Sequence, residues 1–338
     1  MTHRKAIHGL LAALALAPLL ALSASVAVAQ DSASSSSSSV SSVPPVVRQS
    51  LTDAWWTGPM LAPSAGTLAR GHFLLEPYFY DVAAAHSNTF GSLSYLLYGL
   101  GHKFTVGMIP TVDYEHVSNG PSSSTLELGD TGLLVQYGLT QFHEGSWHPT
   151  TAVNVQETFP TGRYDQLGGL PSDGFGSGAY TTALAFYSQT YFWLPNGRIL
   201  RARFNISDAF SSRVNVQGIS VYGTAAGFSG NAKPGNTAYA DAAAEYSLTQ
   251  RWVLALDVEY HFEGNTPVTG YNTLAPGGVS NPLVVQTNSG SAGELIFAPA
   301  IEYNWKPTIG VLLGVRIIEV GHNITPSITP ALAINFVH

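Results

Sequence analysis

The most constraining feature of this sequence is a strict alternation between apolar and polar side chains over residues 251–263. One face of a strand with this sequence carries large apolar side chains, namely Trp252, Leu254, Leu256, Val258, Tyr260 and Phe262. The opposite face carries ionisable side chains, namely Asp257, Glu259, His261 and Glu263. Successive side chains of a β-strand point to opposite faces, so this pattern predicts a strand with one apolar and one wet face.

The same alternation recurs from residue 72 onward and predicts twelve strands. They cover 72–81, 93–100, 104–116, 126–139, 149–159, 179–192, 199–208, 237–247, 251–263, 293–305, 308–319 and 327–337. Short connections are expected at 101–103, 193–198, 248–250 and 306–307, and long ones at 82–92, 160–178, 209–236 and 264–292. An even strand number with short turns and long loops at opposite ends is typical of bacterial outer-membrane β-barrels. Counts of 10 or 14 stay open, because Val214, Val216 and Val221 indicate an extra hairpin within 209–236.

The low charge of the chain supports a membrane environment. Only 10% of the residues are charged, whereas a soluble globular chain carries about 25%. A membrane-spanning helix needs roughly 20 consecutive apolar residues, and no such run occurs beyond residue 30. The sequence therefore predicts an all-β chain that forms a transmembrane antiparallel β-barrel of about 12 strands. A soluble β-sandwich is the alternative, but its outer face should be polar.

Residues 1–29 have the three parts of a secretory signal peptide. Residues 3–5 form a basic start, residues 10–22 an apolar core and residues 27–29 a small-residue cleavage site. We expect cleavage before Gln30, secretion across the inner membrane and insertion into a bacterial outer membrane. A retained anchor is the less favoured alternative, because the core is too short to span a bilayer. The absence of cysteine is compatible with an oxidising compartment.

Two segments separate the predicted signal peptide from the first strand. Residues 30–50 contain a serine tract and two prolines, a composition that predicts a disordered lead. Residues 51–71 contain Trp55 and Trp56 among prolines and glycines, which indicates an ordered but irregular pre-barrel segment. The tryptophan pair favours either a plug or latch at the barrel mouth or a seat at the membrane interface. The barrel itself is predicted over residues 72–338.

The wet faces of the predicted strands would line a lumen with charged side chains. These candidates are Glu76, Asp113, Glu115, Arg201, Arg203, Asp241, Glu245, Asp257, Glu259, His261, Glu294, Glu302 and Arg316. Carboxylates dominate, which favours cations or neutral solutes over anions in a wet pore. The alternative is that the charges pair across strands and fill a narrow barrel. The acidic run within 257–263 could bind a hard divalent cation, but a hydrated rim is the favoured interpretation, so no metal site is predicted.

Several functional classes lack the residues they need. Removal of Arg4 and Lys5 from the 14 basic residues leaves 12 against 21 acidic ones. The bases do not cluster, so nucleic acid is not an expected partner. No phosphate loop, dinucleotide fingerprint, paired cysteines or zinc motif occurs in the sequence, so no cofactor is expected. No nucleophile elbow occurs either, because residues 227–230 lack its spacing, and the chain is not predicted to be an enzyme.

Two rival functions remain open for a barrel of this kind. The first is an outer-membrane hydrolase that modifies lipids, which would need a serine–histidine pair or catalytic carboxylates. The second is a non-conducting adhesin or structural barrel, for which the long connections 209–236 and 264–292 would be recognition surfaces.

Three short motifs resemble one outer-membrane family. Residues 127–132 read Glu-Leu-Gly-Asp-Thr-Gly, residues 159–162 read Phe-Pro-Thr-Gly, and residues 246–252 form a Tyr-x-Leu-Thr-x-x-Trp hairpin. Over most of 70–338 the chain resembles the β-barrel family labelled phenol-degradation meta-pathway proteins. The resemblance implies a transporter-like channel for passive passage of small, hydrophobic or aromatic compounds.

The last predicted strand points to the partners of such a barrel. Leu332, Ile334 and Phe336 alternate outward and resemble the terminal strand that barrel-assembly machinery recognises. That machinery and outer-membrane lipid are therefore expected partners, together with a small-molecule solute.

Overall fold

The computed structural model describes residues 46–274 and 282–338, and nearly all of its regular structure is β-strand. The predicted signal peptide and most of the predicted lead lie outside these residues. Among the described residues the helices are single 3₁₀ turns at Leu51–Asp53 and Pro171–Asp173. No helix in this part of the chain has the length and apolarity needed to cross a membrane.

Twelve strands form one wall, and a smaller sheet lies outside it. The strands, numbered along the chain, are β1 (Phe73–Ala84), β2 (Ser87–Gly99), β3 (Phe104–Ile109), β4 (Thr111–Val117), β5 (Glu127–Leu128), β6 (Thr131–Thr140), β7 (Thr150–Phe159), β8 (Thr181–Trp193), β9 (Ile199–Ser211), β10 (Val214–Gln217), β11 (Phe228–Ala232), β12 (Thr237–Ser247), β13 (Trp252–Glu263), β14 (Pro267–Asn272), β15 (Leu283–Asn288), β16 (Ala292–Lys306), β17 (Ile309–His322) and β18 (Ser327–Val337). In the wall, β3 with β4 and β5 with β6 each act as one interrupted strand. The smaller sheet consists of β10, β11, β14 and β15.

The wall closes because β1 pairs with both β2 and β18. Tyr78 lies opposite Leu93 of β2 and opposite Ala333 of β18. Pro110 separates β3 from β4, since it has no backbone N–H to donate to a neighbouring strand. β3 and β4 still pair antiparallel with successive stretches of β2. The predicted twelve-stranded transmembrane antiparallel barrel is therefore confirmed.

The two faces of the wall differ as the alternation predicts. On β13, Leu254 and Leu256 are 45% and 41% exposed on the outer face, whereas Val253 and Asp257 are fully buried on the inner face.

The turns that join β8 to β9, β12 to β13 and β16 to β17 are short and lie at one end, which we call the short-turn end. Here Trp252 packs against Tyr303 with ring centroids 4.6 Å apart. Such aromatic pairs are typical of the interface between lipid and water.

The other end carries the long connections, and the structure corrects their prediction in two places. The long connection expected at 82–92 is wrong, because β1 and β2 stay paired as far as Ala83 and Asn88. The polar residues there remain in the sheet, where Asn88 Nδ2 donates to Asp81 Oδ1 at 3.0 Å. The connections 209–236 and 264–292 are not plain loops, since they hold the four strands of the smaller sheet. The extra hairpin near Val214 thus adds no strand to the wall.

The smaller sheet has a core of its own and is joined to the other long connections. Its buried residues are Val214, Val216, Phe228, Ala232 and Val268. Leu167 N, in the connection after β7, donates to Ile219 O at 3.0 Å. Ser124 N, in the connection after β4, donates to Asp173 Oδ1 at 2.7 Å. This hydrogen bond, with further help from Ser124 Oγ and Arg163, lowers the pKa of the Asp173 carboxyl below its ordinary value.

The first two motifs of the family resemblance meet at this end. The Asp130 carboxylate accepts hydrogen bonds from Gly162 N at 3.0 Å and from Ser177 N at 2.7 Å. Gly162 packs so closely that an added Cβ would lie 2.7 Å from the Cα of Gly176. Asp130 and Gly162 therefore fix a junction between strands and connections. The close approach of the two backbones explains why glycines occupy positions 162 and 176.

A charge on the outer face of the wall should be costly. We expect Leu256→Arg to lower the free energy of unfolding in a bilayer by about 2–4 kcal/mol, because the guanidinium would face lipid near mid-strand. The matched control Gln250→Arg lies in the exposed turn before β13 and should change it by less than about 0.5 kcal/mol. Urea titration of the refolded protein in lipid vesicles measures both. Equal losses would contradict the assigned lipid face.

Candidate functional site

The segment before β1 runs through the lumen. It first follows the short-turn end, where Gln49 N donates to Gly197 O and Trp55 N donates to Gln250 O, each at 2.9 Å. It leaves the lumen beside β3, where Leu68 N donates to Thr105 Oγ1 at 2.8 Å. We call residues 55–68 the strap. The strap lies inside the barrel. The choice between a plug or latch at the barrel mouth and a seat at the membrane interface for the tryptophan pair stays a prediction.

Two carboxylates of the wall hold the backbone N–H groups of the strap. Glu302 Oε2 accepts hydrogen bonds from Thr57 N at 2.6 Å and Gly58 N at 3.2 Å. Asp257 accepts hydrogen bonds from Met60 N at 2.9 Å and Ala62 N at 3.0 Å. These two acids, predicted only as lumen-lining residues, therefore bind a segment of the same chain.

Donors on the wall bind the carbonyl groups of the strap. Arg203 Nη1 donates to Ala62 O at 2.7 Å, and Asn205 Nδ2 donates to Pro63 O at 2.9 Å. Gln136 Nε2 donates to the carbonyls of Ser64 and Gly66, both at 3.1 Å. Asn304 Nδ2 likewise donates to Trp55 O at 3.2 Å. Carboxylates and donor side chains of the wall thus replace the strand partners that the strap lacks.

A buried ion cluster lies under the strap. Arg201 and Glu245 are direct partners on β9 and β12, and Arg201 Nε donates to Glu245 Oε2 at 2.6 Å. A second hydrogen bond joins Arg201 Nη2 to Glu245 Oε1, and Arg203 Nε lies 3.1 Å from Glu245 Oε2. The Arg201 guanidinium also lies over the ring of Trp56, 4.5 Å from its centroid. Trp56 therefore anchors the start of the strap on this cluster.

The other predicted lumen residues fall into separate groups. Glu76 Oε1 accepts from Asn335 Nδ2 at 3.0 Å, and Asp113 Oδ1 accepts from Tyr80 at 2.7 Å. Towards the end with the long connections, Glu294 pairs with Arg316 at 3.2 Å and with His261 at 3.5 Å. Asp241 is fully buried, and neither of its carboxylate oxygens has a hydrogen bond within the described residues. Glu115 is half-buried, and its backbone N donates to Ser123 Oγ.

The acidic run of β13 does not converge on one point. Asp257 holds the strap, whereas Glu263 is exposed at the far end of the strand. In the part of the chain that the structure describes, no three acidic or histidine side chains come together as metal ligands do. The divalent-cation alternative for this run therefore has no geometric support.

A cavity of about 560 Å³ lies in the lumen beside the strap. Four tyrosines from four strands line it, namely Tyr78, Tyr95, Tyr187 and Tyr239. The rings of Tyr78 and Tyr95 pack edge to face with centroids 6.1 Å apart, and the side chains of Tyr187 and Tyr239 lie close enough to interact. Because β2 and β12 lie on opposite sides of the wall, these tyrosines approach the cavity from opposite directions. The carboxylates of Glu76 and Glu259 also line it.

Sequence reasoning missed the uncharged half of this site. The predicted lumen-lining residues include no tyrosine and none of the amides Gln136, Asn154 and Asn205, because inward residues were selected by charge alone. The signal was present, since these side chains occupy the same inward alternation as the charged ones on their strands.

Comparison with known proteins agrees with the fold. No protein-family model matches the chain, and no curated protein matches it. Among solved structures, the chain is similar to the COG4313 outer membrane channel from Pseudomonas putida F1. The TM-score is 0.61 at 12% sequence identity, over 82% of this chain and 100% of that one. At such low identity the likeness establishes the β-barrel fold alone. The phenol-degradation label stays a prediction.

Two further similarities are weaker. The NanC porin matches 78% of this chain and 98% of its own at 10% identity, with a TM-score of 0.41. The TodX monoaromatic hydrocarbon channel, as a deltaS2 mutant, matches 80% of this chain and 90% of its own at 12% identity, with a TM-score of 0.37. Neither likeness is strong enough to carry an argument about this chain.

The buried ion cluster should dominate the stability of the lumen. We expect Glu245→Gln to lower the free energy of unfolding by about 3–5 kcal/mol, because it breaks the direct ion pairs that two buried arginines make with this carboxylate. The control Glu294→Gln removes a more exposed acid and should cost at most about 1 kcal/mol. Denaturant midpoints of the refolded variants test this. A cost for Glu245→Gln as small as that of the control would show that the cluster is not a structural centre.

Proposed function

We propose that the protein is a passive outer-membrane channel for small molecules, and that the strap closes its lumen at rest. The observation that carries this proposal is the strap itself, a peptide whose residues 57–67 are bound to the inner wall through side chains of the wall. Its contacts are the carboxylates Asp257 and Glu302 and the donors Arg203, Asn205 and Gln136. No backbone pairing with a strand fixes residues 57–67 within the described chain, so the strap can leave without opening the wall.

The dimensions of the barrel support passage of small solutes. Eight strands enclose a space that side chains just fill, and 16-stranded porins leave an open channel, so twelve strands lie between these limits. Here the strap and the tyrosines occupy part of the intermediate lumen and leave the cavity of about 560 Å³. That volume lies within the range of small-molecule sites, roughly 300–1,000 Å³.

The location follows from the fold and the predicted export signal. The predicted signal peptide would direct the chain across the inner membrane, and the closed wall with an apolar outer face suits the outer membrane. Short turns of such barrels face the periplasm and long connections face the exterior. The strap would then close the periplasmic half of the lumen, and the smaller sheet would lie outside the cell. The phenol-degradation resemblance adds aromatic and hydrophobic compounds as the first solutes to test.

The geometry does not favour the lipid hydrolase. The part of the chain that the structure describes has two serine–histidine contacts, Ser122 Oγ with His116 Nδ1 at 3.2 Å and Ser146 Oγ with His148 Nδ1 at 2.9 Å. A catalytic base is normally oriented by a third group on its other ring nitrogen. Within the described residues, neither histidine has a hydrogen bond through Nε2. Both pairs lie in or beside connections between strands, where they close local turns.

Conductance across a planar bilayer tests the channel and the closure together. Asp257→Ala combined with Glu302→Ala leaves four strap N–H groups without acceptors, so we expect conductance to rise several-fold above that of the unaltered mature protein. A variant that lacks residues 46–68 should conduct at least as well as this double variant. The control Thr329→Val removes a buried lumenal hydroxyl that has no hydrogen-bond partner among residues 46–274 and 282–338, and it should conduct like the parent.

The contrary result is equally definite. If neither the parent nor the variant without residues 46–68 conducts, although each folds into a heat-modifiable barrel, the channel proposal fails, whereas equal conductance of the two would defeat the closure by the strap. The adhesin alternative, with the smaller sheet as its recognition surface, would then be the next to examine.

A further inference from the structure

We propose that the cavity beside the strap is a binding site for small organic cations, with an aromatic ammonium ion as the fitting ligand class. The inference deepens the proposed function and rests on it in one respect, because the cavity is taken to lie on the solute route. Three properties of the cavity support the inference. Tyrosines line it, two carboxylates that face it have unused hydrogen-bond acceptor sites, and its two arginines are already bound to other groups of the protein.

The tyrosine lining favours both an aromatic ring and a positive charge. Tyr78, Tyr95, Tyr187 and Tyr239 surround a cavity large enough for a single-ring compound. Aromatic rings attract cations through the negative potential of their faces and pack against other rings edge to face. Tyr95 lies within electrostatic range of Tyr187, Glu76 and Glu259, so rings and carboxylates converge on one volume.

Two carboxylates on the cavity wall have unused acceptor capacity. Glu259 has no hydrogen bond or ion pair with any described residue, yet it is only half-buried and lines the cavity. Glu76 accepts one hydrogen bond, from Asn335 to Oε1, and its Oε2 has none among the described residues. An ionised carboxylate accepts through two oxygens and about four lone-pair sites. An ammonium group, with up to three N–H donors, is the complement of this pair.

The two arginines that line the cavity do not compete for this role. Arg201 is bound to Glu245 through two nitrogens, and Arg203 is shared between Glu245 and the carbonyl of Ala62. Both are at most 6% exposed. Glu302 and Asp257 lie close to them, so three acids face two arginines in this cluster. An incoming anion would therefore have to displace existing ion pairs, whereas a cation meets Glu76 and Glu259 directly.

Three ligands of nearly equal size separate charge from shape. Benzylammonium, benzyl alcohol and benzoate each have one ring and one polar group, and they carry positive, zero and negative charge. We would titrate each by calorimetry into the refolded mature protein in a zwitterionic detergent. Benzylammonium should bind at least about tenfold more tightly than benzyl alcohol, and benzoate should show no binding.

Variants then locate the site. Glu259→Gln alone should weaken the affinity for benzylammonium by about fivefold or more and leave the affinity for benzyl alcohol unchanged. The double variant with Glu76→Gln should bind benzylammonium no more tightly than benzyl alcohol. The matched control Glu115→Gln alters a lumenal acid outside the cavity and should change nothing. Tyr95→Leu should weaken the affinity for benzylammonium by about threefold or more, whereas the affinity of Tyr95→Phe should stay within about twofold of that of the parent. Heat-modifiable migration on gels would verify that each variant is folded.

Each contrary outcome has its own meaning. Equal binding of benzylammonium and benzyl alcohol to the parent would overturn the cation preference, and stronger binding of benzoate would show that the arginines control the cavity. Binding of benzylammonium that survives both glutamate substitutions would place it elsewhere. Because calorimetry needs no conduction, a protein that binds benzylammonium but never conducts would sustain this inference and defeat the channel.

Discussion

The structure depends on one constraint, which is that a peptide inside a barrel must find partners for its backbone polar groups. A strand of the wall satisfies this with its neighbours, but the strap lies in the lumen and touches no strand edge. Its N–H groups are instead received by Glu302 and Asp257, and its carbonyls by Arg203 and Asn205. The charged lumen, which by composition suggests an ion path, is therefore in large part the binding site of the strap. The ion cluster around Glu245 keeps these side chains in place.

This arrangement explains how closure and passage can coexist in one chain. The wall is held by continuous strand pairing, whereas residues 57–67 of the strap are held by side chains of the wall. The strap can therefore leave without breaking the strand pairing of the wall. The cavity next to the strap is lined by tyrosines and by Glu76 and Glu259, none of which has a hydrogen bond to the strap among the described residues. A closing element and a solute-contacting surface thus lie side by side at the same level of the barrel, and a solute that enters the cavity touches both.

Most of the wall could be predicted from the sequence, since lipid on one side and water on the other force a two-residue period that any strand must show. The two-residue period did not predict the strand where both faces are polar, as around Asn88. The polar sequence there is typical of a loop, but Asn88 hydrogen-bonds to Asp81 within the sheet. Strand β14 was hidden for a different reason, whereas the valines of β10 did indicate an extra hairpin. Val216 of β10 and Val268 of β14 belong to one buried cluster of the smaller sheet, so these strands carry no lipid-facing side.

The site was less predictable, because its geometry depends on contacts between distant parts of the chain. Alternation placed Asp257 and Glu302 on the inner face but could not show that both bind residues 57–62. The path of the strap has no periodic signal at all, since prolines, glycines and single polar residues take their conformation from the wall. Tyr95 and Tyr239 gave no signal beyond their inward positions, because their meeting across the lumen depends on closure of the barrel.

Hydrogen exchange of the strap amides in a lipid bilayer tests the central claim most directly. If Glu302 and Asp257 bind the strap as described, the amides of Thr57, Met60 and Ala62 should exchange at least about a hundredfold more slowly than that of Val47, which is 87% exposed ahead of the barrel. Exchange of these three amides as fast as that of Val47 would show that the strap does not occupy the lumen, and would contradict the account.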